Sequence, residues 1–203
     1  RCIVVTSGSL RAVMAKAYPA TESCMQVVTP GVASISEPVH TDEKHSARLH
    51  LGLPVLGRCI LFVGNDYRKK GLSTLIEAMR HMPVDSYLAV VGNSAQIAGF
   101  HREVVESQLG ERIFFLGALK NVDDAYRAAD CLAHPTLEDT FAMVVLEAMA
   151  SGLPVIASNL PGVRTLVRDG ETGFLFPRGN AEELKKALAK LLKDKNLREQ
   201  FGQ

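Results

Sequence analysis

The chain has 203 residues, enough for one to two domains, and a chain of this length buries roughly 70% of its unfolded surface on folding. Apolar residues make up 47% and charged residues 22%, which excludes a disordered tail, a collagen-like fibre and a disulfide-stapled miniprotein. The net charge of +1 creates no basic field for nucleic acid, and the lack of Trp, with only 6% aromatics, argues against a base-stacking surface.

In chain order, short apolar runs predict strands at 2–6, 25–28, 59–63, 87–91, 112–116, 131–133, 154–157 and 173–176. Several are continuous rather than alternating, as strands covered on both faces must be. The first thirty residues read as strand, helix and strand, ending at Pro30-Gly31. Residues 33–57, with Pro38 and Pro54, read as an irregular excursion holding a short helix near 42–51. Helical stripes follow: Leu72, Leu75, Ile76 and Met79, then Phe141, Val144, Val145 and Ala148, then Leu184, Ala187, Leu188, Leu191 and Leu192. Asn180 followed by Glu183 reads as the cap of the last helix. Repeated strand–helix units predict an α/β fold with a doubly wound parallel sheet, Rossmann-like.

Cys2, Cys24, Cys59 and Cys131 are too far apart for a metal or redox pair. Three of them lie in or beside strand-like runs and read as buried, reduced thiols in a cytoplasmic setting. No apolar run approaches the 18 residues of a spanning helix, and the apolar stretch at the start is too short for a secretory signal.

In a doubly wound sheet, ligands bind beyond the carboxyl ends of the strands. The loop after 59–63 runs Gly64, Asn65, Asp66, Tyr67, Arg68, Lys69, Lys70, Gly71 and ends at a helix start. Helix N-termini carry partial positive charge, and Arg68, Lys69 and Lys70 beside one would neutralise a phosphate; a solvated basic turn explains the same residues. The second loop, His134 to Thr140, leads into a helix expected from about Phe141. If Asp139 and Glu147 share that helix, they differ by roughly 80° in azimuth and ~12 Å along the axis, so both can face one cleft. Two carboxylates there suit a hydroxyl-rich ligand, whose paired hydroxyls donate to them. Asp139 reads equally well as a helix cap. Glu147, in a mostly apolar helix, needs a partner. His134 either reaches the cleft or simply ends a rigid strand before Pro135. Gly170 and Gly173 read as turn glycines supplying positive φ.

The stretch 134–158 resembles the signature of the glycosyl transferases group 1 family, retaining enzymes of the GT-B fold. Gly162, the turn 169–173 and the loop from Gly64 to Lys70-Gly71 continue the match, and Val28 to Val32 resembles the family's lead into its carboxyl-terminal domain. The resemblance implies sugar transfer from a nucleotide-sugar donor with retention at the anomeric carbon and without a metal or other cofactor, basic side chains and helix N-termini balancing the diphosphate. Carried onto this chain, the family's acidic pair falls on Asp139 and Glu147, Glu147 gripping the ribose and Asp139 lying near the donor sugar. Gly64, Asn65, Arg68, Lys69 and Lys70 would hold phosphate. Thr140 and the backbone of Phe141, Ala142 and Met143 would face the donor, and Leu116, Gly117 and Ala118 would lie near the base.

The chain departs from the family pattern in four places. Asp139 stands for Glu, Ala142 for Gly, Asn65 for Arg, and Thr165 for a Glu. The loop around Asn65 resembles that of lipopolysaccharide core glucosyltransferase I, in which Arg68 would supply the displaced charge. The resemblance divides the chain into residues 1–30, the end of an amino-terminal domain or a lead-in segment, and residues 31–203, the donor-binding half. Alone, this half is expected to bind nucleotide weakly and transfer no sugar. The implied acceptor is a glycan or lipid-linked saccharide of the cell envelope, reached through an amino-terminal half, with peripheral membrane association at a cytoplasmic face. A GT-B module that binds without transfer, or an epimerase, are the alternatives; the lack of a GxGxxG sequence disfavours an NAD enzyme.

Overall fold

Eight strands and nine helices are seen among the residues described by the computed structural model, which are 2–32, 40–93 and 95–203. Part of the irregular excursion, Pro38 included, lies outside them. The chain opens with β1 (Ile3–Val5), α1 (Gly8–Ala17), a 3₁₀ turn and β2 (Met25–Val27). β1 and β2 pair in parallel as a sheet of their own. Then come α2 (Thr41–His50), β3 (Arg58–Val63), α3 (Leu72–Met79), β4 (Ser86–Val91), α4 (Ile97–Glu106), β5 (Ile113–Gly117), α5 (Asp123–Ala128) and β6 (Cys131–His134). The chain closes with α6 (Met143–Ala150), β7 (Val155–Ser158), α7 (Pro161–Arg164), β8 (Gly173–Phe176), α8 (Ala181–Lys193) and α9 (Lys195–Phe201). Asn180 caps α8 as its sequence predicts, its Oδ1 accepting from the Glu183 N–H at 3.0 Å. Among the described residues no helix is long and apolar enough to cross a membrane.

The six strands from β3 onward form one parallel sheet in the order β5-β4-β3-β6-β7-β8. Counted within the sheet, that is 3-2-1-4-5-6, the doubly wound arrangement of the Rossmann fold. Side chains alternate faces along each strand. Ile60, Phe62, Leu88 and Val90 enter a core with α3, α4, α8 and α9. Cys59, Leu61, Tyr87 and Ala89 enter a second core with α2, α5, α6 and α7. Both faces are therefore dry, and this is why the strands read as unbroken apolar runs.

Two expectations are corrected. Cys59 and Cys131 are buried and free, but Cys2 and Cys24 are exposed, so two thiols rather than three are enclosed. Cys2 precedes β1 and Cys24 ends the 3₁₀ turn before β2, beside a two-stranded sheet next to which α1 buries none of its residues. Burial holds the Cys59 thiol up at about 12. Gly170 has φ +77° as expected. Gly173 does not have positive φ; it admits no side chain because a Cβ there would stand 2.5 Å from the Val155 carbonyl oxygen.

Candidate functional site

Register brings two loops together. Leu61 pairs with Leu132, so His134 at the end of β6 stands level with Val63 at the end of β3. The order of the sheet reverses between these two strands, the place where a crevice opens in a doubly wound sheet. The loops leaving β3 and β6 thus run side by side, and the chain stitches them. The Leu137 N–H donates to the Lys69 carbonyl at 2.8 Å, and Gly71 lies so close to Pro135 that a Cβ would fall 2.0 Å from its carbonyl oxygen.

The basic loop is anchored by a residue that sequence reasoning passed over. Tyr67, the one large apolar side chain in a polar loop, is fully buried. It packs edge-on against Phe62 and Phe100, and its hydroxyl donates to the Gly92 carbonyl at 2.8 Å. Asp66 accepts from the Lys69 N–H, and Asn65 Oδ1 accepts from the Asn93 N–H at 2.9 Å. Gly64 is half-buried, with Lys70 Cγ 2.9 Å from where its Cβ would be. Arg68 and Lys69 are exposed. The start of α3 is not an open row of donors: the Leu72 N–H is taken by the Tyr67 carbonyl and the Thr74 N–H by that of Gly71.

Lys70 turns inward. Its Nζ lies 2.7 Å from Asp139 Oδ2, and His134 Nε2 lies 3.1 Å from the same oxygen. The other oxygen of Asp139 accepts from the Phe141 N–H at 3.2 Å. Burial would raise the Asp139 pKa, but the hydrogen bonds from His134 and Lys70 outweigh it and hold the carboxyl at about 2. His134 is 1% exposed, and burial lowers its pKa more than Asp139 raises it. The imidazole is neutral at pH 7. Since its partner is an ionised carboxylate, we assign the proton to Nε2, which leaves Nδ1 buried with no hydrogen-bond partner among the described residues.

A consequence for stability follows. Because the Asp139 pKa is lowered on folding, its contribution is complete above the unfolded value near 4 and is lost as pH falls towards about 2. That contribution is on the order of 2 kcal/mol. Urea unfolding at pH 5 and at pH 2.5 is expected to show the loss, and Asp139→Asn to remove this part of the acid dependence; an unchanged pH profile in the variant would count against it.

The helix that follows begins later than expected. α6 starts at Met143, so Asp139 lies outside it and the shared-helix geometry does not apply. Ala142, where the family has Gly, has φ −82° and is 1% exposed, so the backbone there accommodates a side chain. The Met143 N–H is taken by the Phe141 carbonyl, and Thr140 is exposed, its carbonyl near Ser7 Oγ at 3.4 Å. Gly162 of α7 presses on the Thr140 backbone, a Cβ there falling 2.7 Å away. Leu116 and Gly117 are half-buried and Ala118 exposed at the carboxyl end of the edge strand β5.

Glu147 has its partner on α5. The buried Tyr126 hydroxyl donates to Glu147 Oε2 at 2.7 Å. The sequence signal was faint: one aromatic among the charged residues and alanines at 123–130, just before β6. Among the described residues, no group of three or more His, Cys, Asp or Glu is arranged to hold a metal.

A doubly wound parallel sheet whose switch point brings a basic loop against a carboxylate defines the Rossmann-like class of α/β protein. The family model described as "Glycosyl transferases group 1" matches residues 48–203. The chain belongs to this family, and its six-stranded unit is the Rossmann-like half of the GT-B fold. It is 35% identical over 187 residues to a phosphatidyl-myo-inositol mannosyltransferase of Mycobacterium leprae, covering 87% of this chain and 48% of that protein. The chain thus spans about half the length of the curated relatives it matches. In fold it is similar to Anabaena HepE, solved with UDP and glucose, at a TM-score of 0.92 and 22% identity, over 99% of this chain and 56% of that one. It is also similar to WaaG, a glycosyltransferase involved in lipopolysaccharide biosynthesis, at a TM-score of 0.88 and 24% identity, over 98% and 55%.

Proposed function

We propose that this chain is the donor-binding half of a retaining glycosyltransferase that takes its sugar from a nucleoside-diphosphate sugar without a metal. The carrying observation is the meeting of Lys70 and Asp139 at the switch point of a group 1 family chain, with Glu147 on the helix that follows the Asp139 loop. Lys70, with Arg68 and Lys69 on the rim, faces the diphosphate; a cation held by one carboxylate can swing to a phosphate at little cost in charge. Glu147 accepts from the ribose hydroxyls. Asp139, ionised through the acidic range, accepts from the hydroxyls of the donor sugar. Leu116, Gly117 and Ala118 bound the base.

The acceptor is a glycan or lipid-linked saccharide of the cell envelope, met through an amino-terminal half at a cytoplasmic membrane face. The lipid-linked inositol acceptor in the name of the Mycobacterium leprae relative supports that reading. The test is calorimetric titration of this chain with UDP, GDP and ADP, repeated on Glu147→Ala. One nucleotide is expected to bind weakly and Glu147→Ala to abolish it; binding that survives Glu147→Ala would overturn the assignment. Sugar transfer by this chain alone would show that the half is sufficient.

A further inference from the structure

Glu147 is half-buried on α6, yet among the described residues no cation pairs with it. Its partner is a neutral phenol. The Tyr126 hydroxyl, on a side chain 3% exposed, donates to Oε2 at 2.7 Å. A salt bridge would commit the carboxylate to a structural role and draw off its charge. A single neutral donor from a buried helix stops rotation of the carboxylate and leaves Oε1, together with the remaining lone pair of Oε2, open to hydroxyl donors. A rotating carboxylate loses entropy on gripping a diol; one already held does not.

We propose that Tyr126 is a positioning residue that aims Glu147 at the ribose and thereby sets the preference of the site for ribonucleoside over deoxyribonucleoside diphosphates. This rests on the donor-site reading above. Tyr126 does not touch the ligand; it acts through Glu147. The phenol stays protonated at all working pH values, since burial and then the Glu147 carboxylate push its pKa up. It therefore remains a donor whenever Glu147 is ionised.

Calorimetry with UDP, 2′-deoxy-UDP and 3′-deoxy-UDP on the unaltered chain, Tyr126→Phe and Glu147→Ala tests this. Tyr126→Phe removes one oxygen and conserves volume, so it is expected to fold, with its thermal midpoint within a few degrees. The unaltered chain is expected to favour UDP over at least one deoxy analogue by about tenfold, the worth of a charge-assisted hydrogen bond. Tyr126→Phe is expected to weaken UDP about five- to tenfold, to leave that deoxy analogue unchanged, and so to bring the ratio towards one. Added to Glu147→Gln, changed from the half-exposed side, Tyr126→Phe is expected to cost nothing further. Equal weakening of UDP and both deoxy analogues would show a merely structural tyrosine and overturn the proposal. So would retained discrimination in Tyr126→Phe when Glu147→Ala has lost it. UDP binding that is absent, or unaffected by Glu147→Ala, would instead bring down the donor-site reading, and this proposal with it.

Discussion

Gly71→Ala is expected to destabilise the protein by about 2–5 kcal/mol and to remove nucleotide binding with it. Two costs add. Gly71 has φ +73°, which an L side chain adopts at a cost of about 1–2 kcal/mol. The new Cβ would also stand 2.0 Å from the Pro135 carbonyl oxygen, which is backbone and cannot rotate away. The strain is relieved only if the loops leaving β3 and β6 part. That breaks the Leu137–Lys69 hydrogen bond and moves Lys70 away from Asp139. Gly99→Ala is the matched control. Gly99 lies inside α4 with open space around it, and alanine there is expected to stabilise by about 0.5–1 kcal/mol. Urea denaturation of the two variants reads both signs. A Gly71→Ala protein of unchanged stability would show that the two loops do not meet as described.

Asp130→Ala is expected to cost about 3–5 kcal/mol while leaving the proposed donor site intact in the molecules that fold. Asp130 accepts from Arg48, from Lys44 and from the Cys59 N–H, at 2.9, 2.9 and 2.8 Å. Arg48 is 3% exposed and also donates to the carbonyls of Ala128, Val55 and Gly57. Removing Asp130 would leave the guanidinium charge enclosed without a counter-charge, and that desolvated ion is the larger part of the cost. Burial would raise the Asp130 pKa, but Lys44, Arg48 and the Cys59 N–H prevail and lower it. The stability it supplies is therefore present above the unfolded pKa and lost on acidification through the folded one. Asp130 precedes β6 and the ligand loops follow it, a separation of about 13 Å along four residues of strand. Nucleotide titration below the thermal midpoint is expected to give unaltered affinity; lost affinity would mean that the cluster also shapes the site. Replacing Arg48 and Asp130 together by apolar residues is expected to recover part of the loss.

The legible part of this molecule was its sheet. Each predicted strand lies within about two residues of an observed one, because strands enclosed by helices on both faces must be apolar at every position, and such runs stand out. β1 and β2 were legible as strands, but the exposure of Cys2 and Cys24 was not, since exposure depends on what covers a sheet. Lys70, Asp139 and Glu147 were singled out as candidate site residues by residue type and by family resemblance. Their partners were not. Helical periodicity, extended back past its true start, placed Asp139 on α6. The structure keeps residues 139–142 out of the helix, with the Asp139 carboxylate held by Lys70, His134 and the Phe141 N–H.

Composition and pattern, which act along the chain, were enough for the class of fold, the order of its elements and the acids and bases available to the site. The neighbours of those groups were settled by folding: Tyr126 under Glu147, His134 and Lys70 on one oxygen of Asp139, Tyr67 beneath the basic loop. These contacts join residues 5 to 69 positions apart; Lys70 reaches Asp139 because parallel pairing brings β3 and β6 level, and Tyr67 reaches Gly92 because β4 lies beside β3. Local propensity carries no record of that register; burial of both sheet faces imposes it.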